Sequence, residues 1–218
     1  MSRNFTEKFS RCGIVSINRR IQTDRLLLLS DALADAGISF MEVTFDQADP
    51  LCLTKATGQI RALKKRHSDM EIGAGTVLDR SQALAAGEAG ASFIVSPNTN
   101  GELIRYVREL GMSSVPGAMT PTEIVAAYEA GADMVKLFPA GWLGTAYIKD
   151  LKAPLGHIPL LATAGITREN FGDFLRAGCC GAGIGSALSS KKLLEAGDRA
   201  GLLANAKEFV RIFEENKK

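Results

Sequence analysis

Glu129-Ala130-Gly131-Ala132-Asp133-Met134-Val135-Lys136 is the stretch that decides the fold of this chain. An Ala-Gly step closes a helix, because glycine takes the left-handed backbone that a helix C-cap needs. The apolar pair that follows opens a buried strand. The same phrase recurs as Asp35-Ala36-Gly37 before Phe40-Met41-Glu42-Val43, and as Glu88-Ala89-Gly90 before Phe93-Ile94-Val95. It returns as Arg176-Ala177-Gly178 before Cys180-Gly181-Ala182, with a looser copy at Leu110-Gly111 before Ser114-Val115. The four strict glycines are spaced by 53, 41 and 47 residues. Each interval is close to two βα units of roughly 20–25 residues.

Working outward from these copies predicts eight strands, at about 12–17, 39–43, 70–74, 92–95, 113–115, 133–136, 159–162 and 180–183. A helix follows each; the clearest runs from Asp24 to Ala36, with Leu27, Leu28, Ala32 and Leu33 at helical spacing. Asp79, Thr120 and Thr167 are candidate N-caps, and Pro121 takes the first helical position after Thr120. Short strands alternating with helices in 218 residues predict an α/β fold, a single (β/α)8 TIM barrel. A doubly wound open sheet is the alternative. No Pro/Gly/Ser linker divides the chain, so one domain over residues 1–218 is expected.

Composition narrows the classes of function. With 46% hydrophobic and 23% charged residues the chain reads as an ordinary soluble globule. A net charge of +2 offers no electrostatic case for nucleic acid or an anionic membrane. The basic run Lys64-Lys65-Arg66-His67 reads as the last turn of a helix, where cations complement the dipole. Cys12, Cys52, Cys179 and Cys180 lack CxxC spacing and read as buried thiols of a reducing compartment. Residues 1–11 carry no apolar signal core, and the leucine run 26–29 is too short to span a bilayer. A cytoplasmic protein is expected.

In a barrel of this kind chemistry collects at the C-terminal ends of the strands. Those ends read, in order, Arg19, Glu42, Thr76, Pro97, Pro116, Lys136, Thr163 and Ser186. Lys136, flanked by Val135 and Leu137, stands where a strand leaves the core. Desolvation there lowers a lysine pKa and frees an amine able to attack a carbonyl; the bland reading is a snorkelling surface charge. Glu42, after Phe40-Met41, is a candidate for proton transfer, or a structural carboxylate paired with a cation. Gly73-Ala74-Gly75-Thr76 leaves its strand through small residues that permit close approach to a ligand. Thr163-Ala164-Gly165 and Gly183-Ile184-Gly185-Ser186 follow the last two strands, the recurrent phosphate site of the fold. His67 and His157 both fall away from strand ends, so an amine route with no metal and no cofactor is favoured. Tyr106, Tyr128 and Tyr147 lie in helical patterns and read as packing residues.

These motifs resemble a known family. Glu42-Val43-Thr44, Gly73 to Val77, Ser96-Pro97-Asn98, Pro116 to Glu123, Lys136 to Ala140 and Gly183 to Ser186 are similar, in order and spacing, to the class I aldolases that cleave 2-keto-3-deoxy-6-phosphogluconate and 4-hydroxy-2-ketoglutarate. The 2-keto-3-deoxy-6-phosphogalactonate aldolases belong to the same family. The likeness runs from about residue 8 to residue 212. It implies a homotrimer of barrels in which Lys136 forms a Schiff base with a keto acid and Glu42 moves protons. Arg19, Thr76, Pro97 and Phe138 would line the pyruvyl end, Gly165, Gly185 and Ser186 would help hold the distal phosphate, and Thr163 is a further substrate-binding candidate. The implied products are pyruvate and an aldehyde, glyceraldehyde 3-phosphate for a six-carbon phospho-sugar acid. An unphosphorylated 2-keto-4-hydroxy acid is the alternative substrate, and a non-catalytic phosphate-ligand-binding barrel the alternative of another class. Two departures stand out. Asp46 stands where gluconate-type members usually carry an arginine and galactonate-type members a neutral polar residue, so it fits neither closely. This leaves Arg19 to meet the pyruvyl carboxylate and turns Asp46 toward solvent or a cation. Ala164 replaces the first glycine of the usual Thr-Gly-Gly loop.

Overall fold

The computed structural model describes residues 3–217. Its strands are β1 (Ile14–Asn18), β2 (Phe40–Thr44), β3 (Glu71–Gly75), β4 (Phe93–Val95), β5 (Ser113–Val115), β6 (Gly117–Ala118), β7 (Val135–Leu137), β8 (Leu160–Thr163) and β9 (Gly181–Ile184). The helices are α1 (Arg3–Phe9), α2 (Thr23–Asp35), α3 (Cys52–Arg66), α4 (Arg80–Glu88), α5 (Gly101–Glu109), α6 (Pro121–Glu129), α7 (Ala140–Lys152), α8 (Phe171–Arg176), α9 (Lys191–Ala196) and α10 (Arg199–Asn216). Every strand pairing is parallel, in the order β5-β4-β3-β2-β1-β9-β8-β7-β6. The two ends of this sheet, β5 and β6, are separated in the chain by Pro116 alone. The sheet therefore comes round on itself as a nearly closed barrel.

The eight expected strands stand within two residues of their predicted bounds, but the sheet has nine because Pro116 divides one of them. Proline has no N–H to give a ladder. Val115 pairs back to Val95 on β4, whereas Gly117 pairs forward to Lys136 on β7. The Pro116 carbonyl bridges the gap, accepting the Lys136 N–H at 2.8 Å.

The recurrent Ala-Gly step works as a helix stop in all five copies. Gly37, Gly90, Gly111, Gly131 and Gly178 have φ between 78° and 112°. The residue after each glycine donates back five residues: Ile38 to Leu33 O at 2.9 Å, Ala91 to Ala86 O at 3.0 Å, and Met112 to Val107 O at 3.1 Å. Ala132 bonds Ala127 O and Cys179 bonds Phe174 O, both at 3.1 Å. This is the Schellman closure, which satisfies a carbonyl at the helix end and aims the chain into the next strand.

At helix starts, Asp79 caps α4 through the Gln82 N–H, and Thr120 with Glu123 forms a capping box on α6. Thr167 is not a cap. Helix α8 begins at Phe171, and Asn170 Oδ1 accepts the Thr167 N–H instead, so the segment between β8 and α8 is a loop.

One end of the barrel is plugged by aromatic rings. Phe5 and Phe9 of α1 meet Phe40 at 5.5 and 5.3 Å between ring centroids, and Phe93 lies 5.6 Å from Phe5. Phe40 and Phe93 are the first residues of β2 and β4, so α1 closes the N-terminal face. Burial of each such ring contributes about 1.5–3 kcal/mol, and edge-on pairing adds to it. The C-terminal face is left for the site.

The cysteines are free, with Cys12 and Cys179 buried and Cys52 and Cys180 partly buried. Burial pushes the thiols of Cys179 and Cys180 up to about 12. Tyr106 lies beneath the Arg80 guanidinium and Tyr128 edge-on to His157, while the Tyr147 hydroxyl donates to Met119 O at 2.6 Å. No helix among the described residues is long and apolar enough to cross a membrane.

Candidate active site

Lys136 is the middle residue of the three-residue strand β7, and 8% exposed. This corrects the expectation that it stands at a strand end: Leu137 is also laddered, to Ala162. Glu42 is the third residue of the wholly buried β2, and 2% exposed. Both reach one cavity of about 320 Å³, together with Arg19, Phe138, Thr163, Gly165, Gly185 and Ser186. The lining also includes Ile17, Ala164, Ile166 and Thr167.

Two expected residues are off that wall. Thr76 follows β3 and accepts a 3.2 Å hydrogen bond from Arg19 Nη2, so it touches the site through the arginine. Pro97 packs its carbonyl against Gly117, where a Cβ would come within 2.3 Å of it. The β4 loop therefore supports the strand break at Pro116 rather than the cavity.

Burial is the main cause acting on both ionisable groups. It pushes the Lys136 ammonium below the ordinary lysine range, opposed by the charge of Glu42 and aided by that of Arg19. It pushes the Glu42 carboxyl above the ordinary range, opposed by Lys136 and Arg19. Each shift moves its group toward neutral pH, where an amine can be a nucleophile and a carboxyl can exchange a proton. The Phe138 ring, at the exposed rim, lies with its centroid 5.1 Å from Lys136 Nζ.

The Glu42 carboxylate is seated on bare backbone. A Cβ built on Gly75 would fall 1.6 Å from Glu42 Oε1 and 2.2 Å from Cδ. The small-residue exit of β3 thus admits a side chain of this protein. Asn18, buried at the end of β1, donates from Nδ2 to Ser16 O at 2.9 Å and to Glu42 O at 3.2 Å, fixing the backbone of β2 at that point.

Arg20, Thr76 and Ala164 are the non-glycine residues with positive φ among the described residues, at 56°, 57° and 73°. They follow β1, β3 and β8 on the same face, and each such conformation costs on the order of 1–3 kcal/mol. Ala164 adopts a left-handed backbone that favours glycine, and its carbonyl accepts the Gly141 N–H at 2.9 Å. Gly165, at φ 73°, approaches Gly141 so closely that a Cβ would lie 3.1 Å from its Cα. Thr76 is held by Gln47, whose Nε2 donates to the Thr76 carbonyl at 2.7 Å. Asp46 accepts two hydrogen bonds from Arg20, at 2.6 and 3.0 Å, which hold its carboxyl below the ordinary range. The cation that Asp46 turns to is therefore the neighbour of Arg19.

Ile17, Asn18 and Gln47 stand outside the motifs of the sequence, whereas Gly75 belongs to the expected small-residue exit but faces Glu42 rather than a ligand. Asn18, a polar residue ending an apolar run, carried a signal; the role of Gly75 depends on a neighbouring strand. His67 Nε2 lies 3.1 Å from Asp31 and 2.9 Å from Ser30 Oγ, on the helical layer. Among the described residues no group of three or more His, Cys, Asp or Glu side chains is placed to hold a metal ion.

Residues 6–204 match the family described as KDPG and KHG aldolase. The chain belongs to that family. It is 39% identical over 181 residues to the 2-dehydro-3-deoxy-6-phosphogalactonate aldolase of Escherichia coli K12, covering 82% of this chain and 85% of that one. To the 2-dehydro-3-deoxy-phosphogluconate aldolase of Pseudomonas aeruginosa it is 32% identical over 209 residues, covering 94% and 90%. A solved structure described as native KDPGal superposes with a TM-score of 0.82 at 36% identity, covering 93% of this chain and 95% of that one. This aldolase is thus a lyase, and both gluconate-type and galactonate-type enzymes are among its relatives.

Proposed function

We propose that this protein is a Schiff-base aldolase that reversibly cleaves a 2-keto-3-deoxy-6-phospho-sugar acid to pyruvate and glyceraldehyde 3-phosphate. The observation that carries the reading is a buried lysine and a buried carboxylate, each pushed toward neutral pH, facing one cavity at the C-terminal mouth of the barrel. The neutral Lys136 amine attacks the C2 ketone, and loss of water gives a protonated imine. The imine accepts the electron pair of the C3–C4 bond as Glu42 takes the C4 hydroxyl proton, releasing the aldehyde. Glu42 then returns a proton to C3 of the enamine, and water frees pyruvate from Lys136.

Arg19, free of the carboxylate that holds Arg20, meets the substrate carboxylate through a charge-assisted hydrogen bond. Its replacement by alanine should raise KM for phosphorylated and unphosphorylated keto acids alike. Gly165, Gly185 and Ser186, with Thr163 behind them, receive the phosphate on backbone N–H groups. Incubation with the gluconate and galactonate epimers, followed by pyruvate measurement, tests the substrate class. Release of pyruvate from neither would contradict it.

Gly75→Ala should slow cleavage about 10²-fold or more, the range for one displaced acid–base group, while Lys136 still traps pyruvate. Cleavage at the parent rate would show that Glu42 can act from another seat.

We count β5 and β6 as one strand broken at Pro116, which makes the chain a single (β/α)8 domain. A homotrimer is supported by large exposed apolar residues on the site face, with Trp142 90%, Leu51 57% and Met119 46% exposed. It is also supported by a 35% identical relative whose structure is of a cage designed by fusing symmetric oligomeric domains. Sedimentation should give three times the 23.2 kDa chain mass; a monomer would refute it. The free thiols and the lack of a spanning helix among the described residues favour a cytoplasmic enzyme, which fractionation of cells would test.

A further inference from the structure

The cavity that holds Lys136 and Glu42 does not end at Ser186. Beside it lies a second cavity of about 640 Å³, twice the size of the first. Ile17, Arg19, Gly185 and Ser186 line both, so they form a septum between two lobes of one cleft. The outer lobe is bounded by Arg20, Arg25 and Lys191, with apolar Ile21 and Leu194, and Glu195 is its one acidic lining residue.

The cations of this lobe are committed to different degrees. Arg20 is taken up by Asp46 through two hydrogen bonds. Arg25 stands 3.7 Å from the carboxylate of its exposed neighbour Asp24, and Lys191 stands 3.6 Å from exposed Glu195. Ion pairs this long and this open to water contribute little. Both heads can turn to a stronger anion at small cost.

Building on the aldolase reading above, we infer that the outer lobe is a second anion subsite, in which Arg25 and Lys191 engage the terminal phosphate of the substrate from the side away from Lys136. A phosphate on the Gly185–Ser186 backbone sits on the septum and is open to both lobes. Backbone N–H groups satisfy oxygens on one side but supply no net charge. A dianion also needs cations, and a guanidinium fork matches two phosphate oxygens at once. Arg19 is shared with the keto-acid end, which leaves Arg25 and Lys191 for the phosphate. The apolar floor at Ile21 and Leu194 keeps their local environment drier than open surface, which strengthens the attraction. The outer lobe thus selects a phosphorylated aldehyde over its unphosphorylated counterpart without touching the reacting carbons.

The test runs the reaction in the direction of condensation, with pyruvate and either glyceraldehyde 3-phosphate or glyceraldehyde. In an Arg25→Gln, Lys191→Gln double variant the ratio of kcat/KM for the phosphorylated over the unphosphorylated aldehyde should fall about tenfold. In the parent protein, raising ionic strength should weaken the phosphorylated substrate more than in the variant. Lys191→Glu, at a side chain 88% exposed, should move the ratio the same way. An unchanged ratio, or an equal loss with both aldehydes, would overturn the subsite. Borohydride trapping of pyruvate on the same proteins separates the two readings: no adduct in the parent sinks the aldolase reading, whereas an adduct with an unchanged ratio sinks the subsite alone.

Discussion

Lys136→Met should abolish turnover, with a loss on the order of 10⁵–10⁶-fold, the scale seen when a covalent nucleophile is removed. Methionine fills the same volume in the buried β7 and needs no counter-charge, so the barrel should remain folded. Circular dichroism and a melting curve check that point, and residual cleavage above a hundredth of the parent rate would refute the nucleophile assignment. The parent pH profile is a further check. Imine formation needs the neutral amine, and burial holds the Lys136 pKa below the ordinary lysine value. The rate of imine formation should therefore rise with pH and level off at lower pH than it would for an ordinary exposed lysine.

Glu42→Gln should slow cleavage by about 10²–10⁴-fold, the usual range for one acid–base group, while pyruvate still forms an imine on Lys136. The sign of the accompanying pH effect follows from the charges. The Glu42 carboxylate favours the protonated form of Lys136, opposing the effect of burial. Removing that charge lets burial and Arg19 act unopposed, so the Lys136 pKa falls further and the rising limb of imine formation moves to lower pH. Stopped-flow measurement of imine formation against pH reads this shift. A limb that moves to higher pH, or a cleavage rate within threefold of the parent, would return Glu42 to a structural role.

What was legible in the sequence was local. Each Ala-Gly step reports a helix end because the Schellman bond spans five residues and needs only a glycine with positive φ. Those five closures placed the strands that follow them, β2, β4, β5, β7 and β9, to within two residues, and β2 and β7 carry Glu42 and Lys136 to one face of the barrel. Thr120 and Asp79 were legible for the same reason, since a cap bonds within its own first turn. Thr167 misled because the signal of a hydroxyl before a helix does not say how long the intervening loop is. What could not be read was non-local. That Gly75 seats the Glu42 carboxylate depends on the register of β2 against β3, and no pattern within either strand encodes it. That Asp46 holds Arg20 joins residues 26 positions apart. The division of a strand at Pro116 follows from two different partners for Val115 and Gly117. The aromatic plug under the barrel required α1 to fold back on Phe40 and Phe93.

The central claim is that Lys136 forms the covalent bond to the keto acid. The most direct measurement is incubation with pyruvate, reduction with borohydride, and peptide mapping by mass spectrometry. The account predicts one reduced pyruvyl adduct, on Lys136, absent in Lys136→Met and present in Glu42→Gln. An adduct on another lysine, or none at all with active protein, would contradict it.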